Sequence, residues 1–144
     1  MTYADTGFLI SLSISEDTSA QAVATMASVA GAVSVIWLTE LEFENAVLRA
    51  VFQKRITPQL ASTLMAEFEN DVARGVYSRS VMDCNALSTE ASRLAQHFTP
   101  AIGTRTLDLL HVAAANMLQC QTFLSFDDRQ RRTAAALGMK VLPA

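Results

Sequence analysis

The apolar positions of this chain fall into short blocks that alternate between two periods. "AVSVIWL" (32–38), "QTFLSF" (121–126) and "MKVL" (139–142) are brief apolar runs, the first rich in β-branched and aromatic residues, and each predicts a strand. Met1–Ala4 leads into "DTGFLISL", which reads as a strand end followed by a helical turn. "VYSRSV" (76–81) alternates and reads as either a short strand or an extended connection. The intervening segments carry the helical period. Glu16–Ala30 has Ala, Val and Met at helical spacing and stops at Gly31. Thr39 to about Arg55 is helical, with Leu41, Leu48 and Phe52 on one side. Thr57-Pro58 starts the next helix, Thr as cap and Pro at the first helical position, and Gly75 closes it after Arg74. Asn85–His97, Thr104–Leu118 and Asp128–Leu137 complete the set, the last with Gly138 just past its end.

Strands that alternate with one or two helices, and that are apolar almost continuously, belong to a sheet covered on both faces. The expected architecture is therefore α/β with a mainly parallel central sheet and right-handed crossovers. At 144 residues the chain reads as a single domain, 1–144. In such sheets ligands bind outside the carboxyl ends of the strands.

Composition narrows the function. The chain is 51% hydrophobic and only 17% charged, which fits a thoroughly covered core together with a subunit interface. A net charge of −3 argues against a generally basic nucleic-acid binder. The apolar runs are shorter than a membrane span, and the first residues lack the basic start of a signal peptide. Cys84 and Cys120 lack metal-ligand spacing and are expected to be reduced and buried, in a cytoplasmic protein.

The acids are few, yet they sit at the rims of the apolar elements. Asp5 follows the first strand, Asp127 follows "QTFLSF", Asp108 lies in the first turn of its helix, and Glu42 lies one turn into the helix after "VSVIWL". Each has a structural alternative: Asp5 and Asp127 as helix caps, Asp108 as complement to a helix dipole, and Glu42, Asn45 and Arg49 as a solvated stripe. Together they fall selectively beside strand ends, and Glu42 is too deep in its helix to be a plain cap. Clustered carboxylates need a cation to stay ionised, and hard oxygen donors suit Mg²⁺ or Mn²⁺. Such an ion supplies the positive charge that a polyanionic substrate needs.

"YADTGFLISL", "LEFENAVLR", "GTRTLDLLHVAAA" and "FLSFDDRQ…AAALGMKVL" resemble, in order and over the whole chain, the PIN domain and more narrowly the toxin ribonucleases of the virulence-associated protein C type. The resemblance implies a three-layer α/β/α sandwich and a metal-dependent endoribonuclease, the toxin of a toxin–antitoxin pair. Asp5, Glu42, Asp108 and Asp127 would hold one or two Mg²⁺ or Mn²⁺ ions, and a metal-activated water would cleave RNA. Thr6 and Ser125 would orient ligands or water, Asn45 is in register with the family motif, and Arg105 would contact either RNA phosphate or a partner. Gly7 stands where the family often has Ser, and Ser125 where it has Thr; no carboxylate is lost. Partners implied are RNA, an antitoxin protein and a second copy of the chain, with the helices at 58–74 and 85–97 as candidate surfaces. Glu44 is the rival to Glu42, since a shift of two residues in helix register exchanges them. His111 reads either as a buried histidine satisfying its neighbours or as a proton shuttle, and Arg129, Arg131 and Arg132 as a solvated helix or a guide for RNA backbone. Tyr3, Trp37 and Tyr77 read as core, and Met26, Met65, Met82 and Met117 as packing. The alternatives are a non-catalytic PIN-like RNA- or protein-binding domain, and a phosphatase-type hydrolase with Asp5 as nucleophile. The latter lacks a second acid two residues after Asp5.

Overall fold

Five strands of three residues frame the molecule: β1 (Thr2–Ala4), β2 (Val33–Val35), β3 (Tyr77–Arg79), β4 (Thr122–Leu124) and β5 (Lys140–Leu142). They pair in the order β3-β2-β1-β4-β5, and every pairing is parallel. The computed structural model describes residues 1–144. Seven helices join the strands: α1 (Thr6–Ser13), α2 (Ser19–Ser28), α3 (Trp37–Phe52), α4 (Pro58–Ala73), α5 (Cys84–Ile102), α6 (Thr106–Met117) and α7 (Asp128–Ala136).

Successive side chains of a strand point to opposite faces, so two apolar clusters form. Tyr3 and Phe123 enter one, with Leu87 and Leu94 of α5, Leu109 and Val112 of α6, and Ala134 of α7. Ala4 and Leu124 enter the other, with Phe8 of α1, Ala22 of α2, Phe43 and Val47 of α3, and Leu64 and Phe68 of α4. The result is a three-layer α/β/α sandwich. The apolar runs that look continuous in sequence are those whose two faces are both covered.

Local signals set most boundaries. The Thr57 hydroxyl accepts the Leu60 N–H at 3.1 Å, with Pro58 opening α4. Gly138 follows the last turn of α7 at a φ of 86°, which a residue with a Cβ adopts only under strain.

Several expectations are corrected. Trp37 and Leu38 open α3 instead of ending a strand, because the Ile36 carbonyl accepts the Glu40 N–H and the chain turns helical there. The side of α3 carrying Leu41, Leu48 and Phe52 faces solvent. Its buried face is Leu38, Thr39, Phe43, Val47 and Ala50, with the Phe43 ring 5.0 Å from that of Phe68. Helix α5 runs past His97 and through Pro100 to Ile102, closing at Gly103 with a φ of 73°. A proline this close to a helix end deletes one bond without interrupting the turns before it. Cys120, Tyr3 and Tyr77 are buried, whereas Cys84, Met117 and Trp37 are exposed, Trp37 by 42%.

Candidate active site

The strand order changes direction between β1 and β4: the chain builds outward through β2 and β3 on one side, then through β4 and β5 on the other. The crevice beyond the carboxyl ends of β1 and β4 is the switch point of the sheet, where an open α/β fold presents its ligand site. Asp5 leaves β1 there, and Ser125 and Asp127 leave β4. Helix α3 follows β2 and contributes Glu42; the first turn of α6 contributes Asp108. Asp5, Glu42, Asp108 and Asp127 line one cavity of about 450 Å³, with Thr6, Glu16, His111 and Gln130 among their neighbours.

Each acid is held. Asp5 Oδ1 accepts the Phe8 N–H at 2.7 Å, capping α1, and Oδ2 accepts the Ser125 hydroxyl at 2.6 Å. The Asp127 N–H donates to the same Ser125 oxygen at 3.0 Å, so one buried hydroxyl ties the ends of β1 and β4 together. Asp127 Oδ1 caps α7 through the Gln130 N–H at 2.9 Å, and Gln130 Nε2 donates to Asp108 Oδ1 at 3.0 Å. Glu42 Oε2 accepts the Thr6 hydroxyl at 2.7 Å and meets His111 Nε2 at 2.5 Å. The capping role and the cavity position therefore coexist in Asp5 and Asp127.

Burial pushes the Asp5 carboxyl above its ordinary range, and the negative charge of Asp127 adds to the shift against the Ser125 hydrogen bond. Burial and the Asp127 charge raise Asp108 in the same way. For Glu42 burial also works upward, but the His111 and Thr6 contacts outweigh it and hold the carboxylate below its ordinary value. Asp108 Oδ2 and Gln130 Oε1 are buried without a hydrogen-bond partner. An anionic, oxygen-only donor set with two orphaned oxygens fits a hard divalent cation in chemistry and charge. No group of three acidic, His or Cys side chains is gathered tightly enough to hold an ion by protein ligands alone.

Of the supporting residues named from sequence, Thr6 and Ser125 contact the acids directly. Asn45 and Arg105 are exposed and do not line the cavity, although the Arg105 charge offsets part of the Asp108 shift. Glu44 lines a separate groove with Trp37, Leu41 and Phe68. Within the arginine cluster, Arg131 clamps the carbonyls of Ser125 and Pro143 at 2.8 and 2.7 Å. The side chain of Gln130 was not foreseen: its place three residues after Asp127 marks a capping pair, and nothing local shows that its amide reaches Asp108. His111 sits in an apolar run, and its contact with Glu42 spans 69 positions of sequence.

No protein-family profile matches the sequence, and no curated protein matches it. Solved structures do match. VapC20 of Mycobacterium tuberculosis, a "Sarcin-Ricin loop cleaving toxin", superposes with a TM-score of 0.71 at 16% identity, covering 96% of each chain. FitAcB from Neisseria gonorrhoeae superposes with a TM-score of 0.69 at 14% identity, covering 98% of this chain and 96% of the other. The chain therefore shares the fold of these two structures, a three-layer PIN-like α/β/α sandwich.

Proposed function

We propose that this chain is a divalent-metal-dependent endoribonuclease and the toxin of a toxin–antitoxin pair. The observation that carries the proposal is the meeting of Asp5, Glu42, Asp108 and Asp127, from four separate segments, around one cavity at the switch point of the sheet. The description of VapC20 as a "Sarcin-Ricin loop cleaving toxin", on the same fold, supports a toxin nuclease.

Asp5, Glu42, Asp108 and Asp127 would hold Mg²⁺ or Mn²⁺, the remainder of the coordination shell coming from water. When bound, such an ion polarises a phosphoryl oxygen, activates water and stabilises the leaving oxygen of an in-line displacement. The chain's own residues set the stage. Ser125 fixes Asp5 and the start of the Asp127 segment; Gln130 fixes Asp108; Thr6 and His111 fix Glu42. Arg105, exposed at the start of α6 and near enough for its charge to act on Asp108, would contact a phosphate of the RNA. Hydrolysis would break one P–O bond and form another to the oxygen of water, one proton of that water passing to the leaving oxygen and the other to the new phosphomonoester or to solvent. The side chains of α3 that stand in solvent, Leu41, Leu48 and Phe52, fit a contact with an antitoxin or a second copy of the chain. No helix is long and apolar enough to cross a membrane.

One observation favours a second reading, a non-catalytic domain that binds RNA or protein: Asp5 and Asp127 each complete a helix cap, and no three ligands are drawn together. Incubating a defined RNA set with Mg²⁺, Mn²⁺ or chelator separates the two. The proposal requires cleavage that depends on metal and disappears in Asp5→Asn, Asp108→Asn and Asp127→Asn. Full cleavage retained by two of these three variants would refute the site.

A further inference from the structure

His111 is a histidine with both ring nitrogens committed. Its side chain is only 3% exposed. Nδ1 lies 2.8 Å from the Tyr3 hydroxyl, and Nε2 lies 2.5 Å from Glu42 Oε2. A carboxylate oxygen only accepts, so Nε2 carries the hydrogen of that contact, and in a neutral ring Nδ1 is left to accept from the Tyr3 hydroxyl. Tyr3 is itself immobile: its ring stacks on Phe123 at 5.7 Å, and its hydroxyl lies 3.3 Å from Thr39 Oγ1. The chain of contacts thus runs from the sheet, through α6, to α3.

We propose that His111, backed by Tyr3, is the positioning residue that orients Glu42 in the candidate metal site. This rests on the metal-dependent reading above. Both the Thr6 hydroxyl and His111 Nε2 fall on Oε2, which leaves Oε1 as the atom of Glu42 free to ligate. Glu42 lies neither at a strand end nor in the first turn of its helix, and the hydrogen bonds that hold its long side chain are those from Thr6 and His111. His111 lies three residues after Asp108, so a single helix face supplies one acid and aims another.

The test is a Mn²⁺ titration of the full chain, read both by thermal melting and by RNA cleavage, for His111→Leu, His111→Gln and Tyr3→Phe. Loss of a group that orients a ligand weakens metal affinity by about 10- to 100-fold. His111→Leu is expected to raise the half-saturating Mn²⁺ concentration by that factor in both readouts, with most cleavage restored at saturating metal. Tyr3→Phe is expected to move it the same way by less, and His111→Gln, whose amide donates to Oε2, to recover most of the wild-type value. Half-saturation equal to wild type in both His111→Leu and Tyr3→Phe would overturn the assignment. So would His111→Gln behaving as His111→Leu does. If His111→Leu does not fold, Tyr3→Phe alone decides, and an unchanged half-saturation there overturns it. A wild-type chain whose melting ignores Mn²⁺ overturns the metal-dependent reading together with this one, and so is told apart from failure of His111 alone.

Discussion

Asp5 and Asp127 each serve two purposes with two oxygens. One oxygen caps a helix, and the carboxylate as a whole charges the cavity. Asparagine caps as well as aspartate does, so the roles are separable. Asp127→Asn should keep the stability of the chain while abolishing cleavage, whereas Asp127→Ala should also lose about 1 kcal/mol of cap, read by urea unfolding. The raised Asp5 and Asp108 carboxyls have a pH signature. Folded, they hold protons that the unfolded chain has released, so metal-free stability rises as pH falls from neutral through their folded pKa values. The rise ends below the ordinary carboxylate value of about 4. Glu42 runs the other way: its stabilising contribution is present above the ordinary value and is lost as pH falls through its lowered pKa. Unfolding curves at stepped pH should therefore show a flatter rise in Asp108→Asn than in wild type, and an equal slope would contradict the raised Asp108.

At the scale of the element, α3 shows that a helical period does not say which side is inside. Apolar side chains occur on both sides of it, and sequence spacing alone singles out Leu41, Leu48 and Phe52. Phe43 and Val47 are buried instead, in the cluster where the Phe43 ring meets Phe68 of α4 and Phe68 in turn stacks on Tyr77 of β3. Phe43 is 4% exposed and Phe52 is 87% exposed. Phe43→Ala should cost about 3–5 kcal/mol, and Phe52→Ala should stay within about 0.5 kcal/mol of wild type, both by urea unfolding. In α1, a Cβ at Gly7 would meet Asp5 Oδ1 at 3.6 Å, an ordinary contact. Gly7→Ala should therefore stabilise the chain by about 0.4–1 kcal/mol through the unfolded state.

At the scale of the molecule, the strand order places the carboxyl ends of β1 and β4 side by side, so residues 120 positions apart share one hydroxyl. Filling the cavity should stabilise the whole fold: Mn²⁺ at about 100 times its dissociation constant should add about 2.7 kcal/mol, seen as a rise in Tm that chelator reverses. The order of elements, the parallel sheet and the Thr57-Pro58 start of α4 were legible in the sequence because each is fixed by nearest neighbours: a period, a cap, a glycine. The acids were legible as rim residues for the same reason, since Asp5, Asp108 and Asp127 lie within a turn of an element end and Glu42 only a little deeper. What only the tertiary structure decided is which side of α3 is buried, that Gln130 reaches across to Asp108, and that His111 stands behind Glu42. Those contacts depend on how layers pack, and packing joins residues that the chain itself keeps far apart.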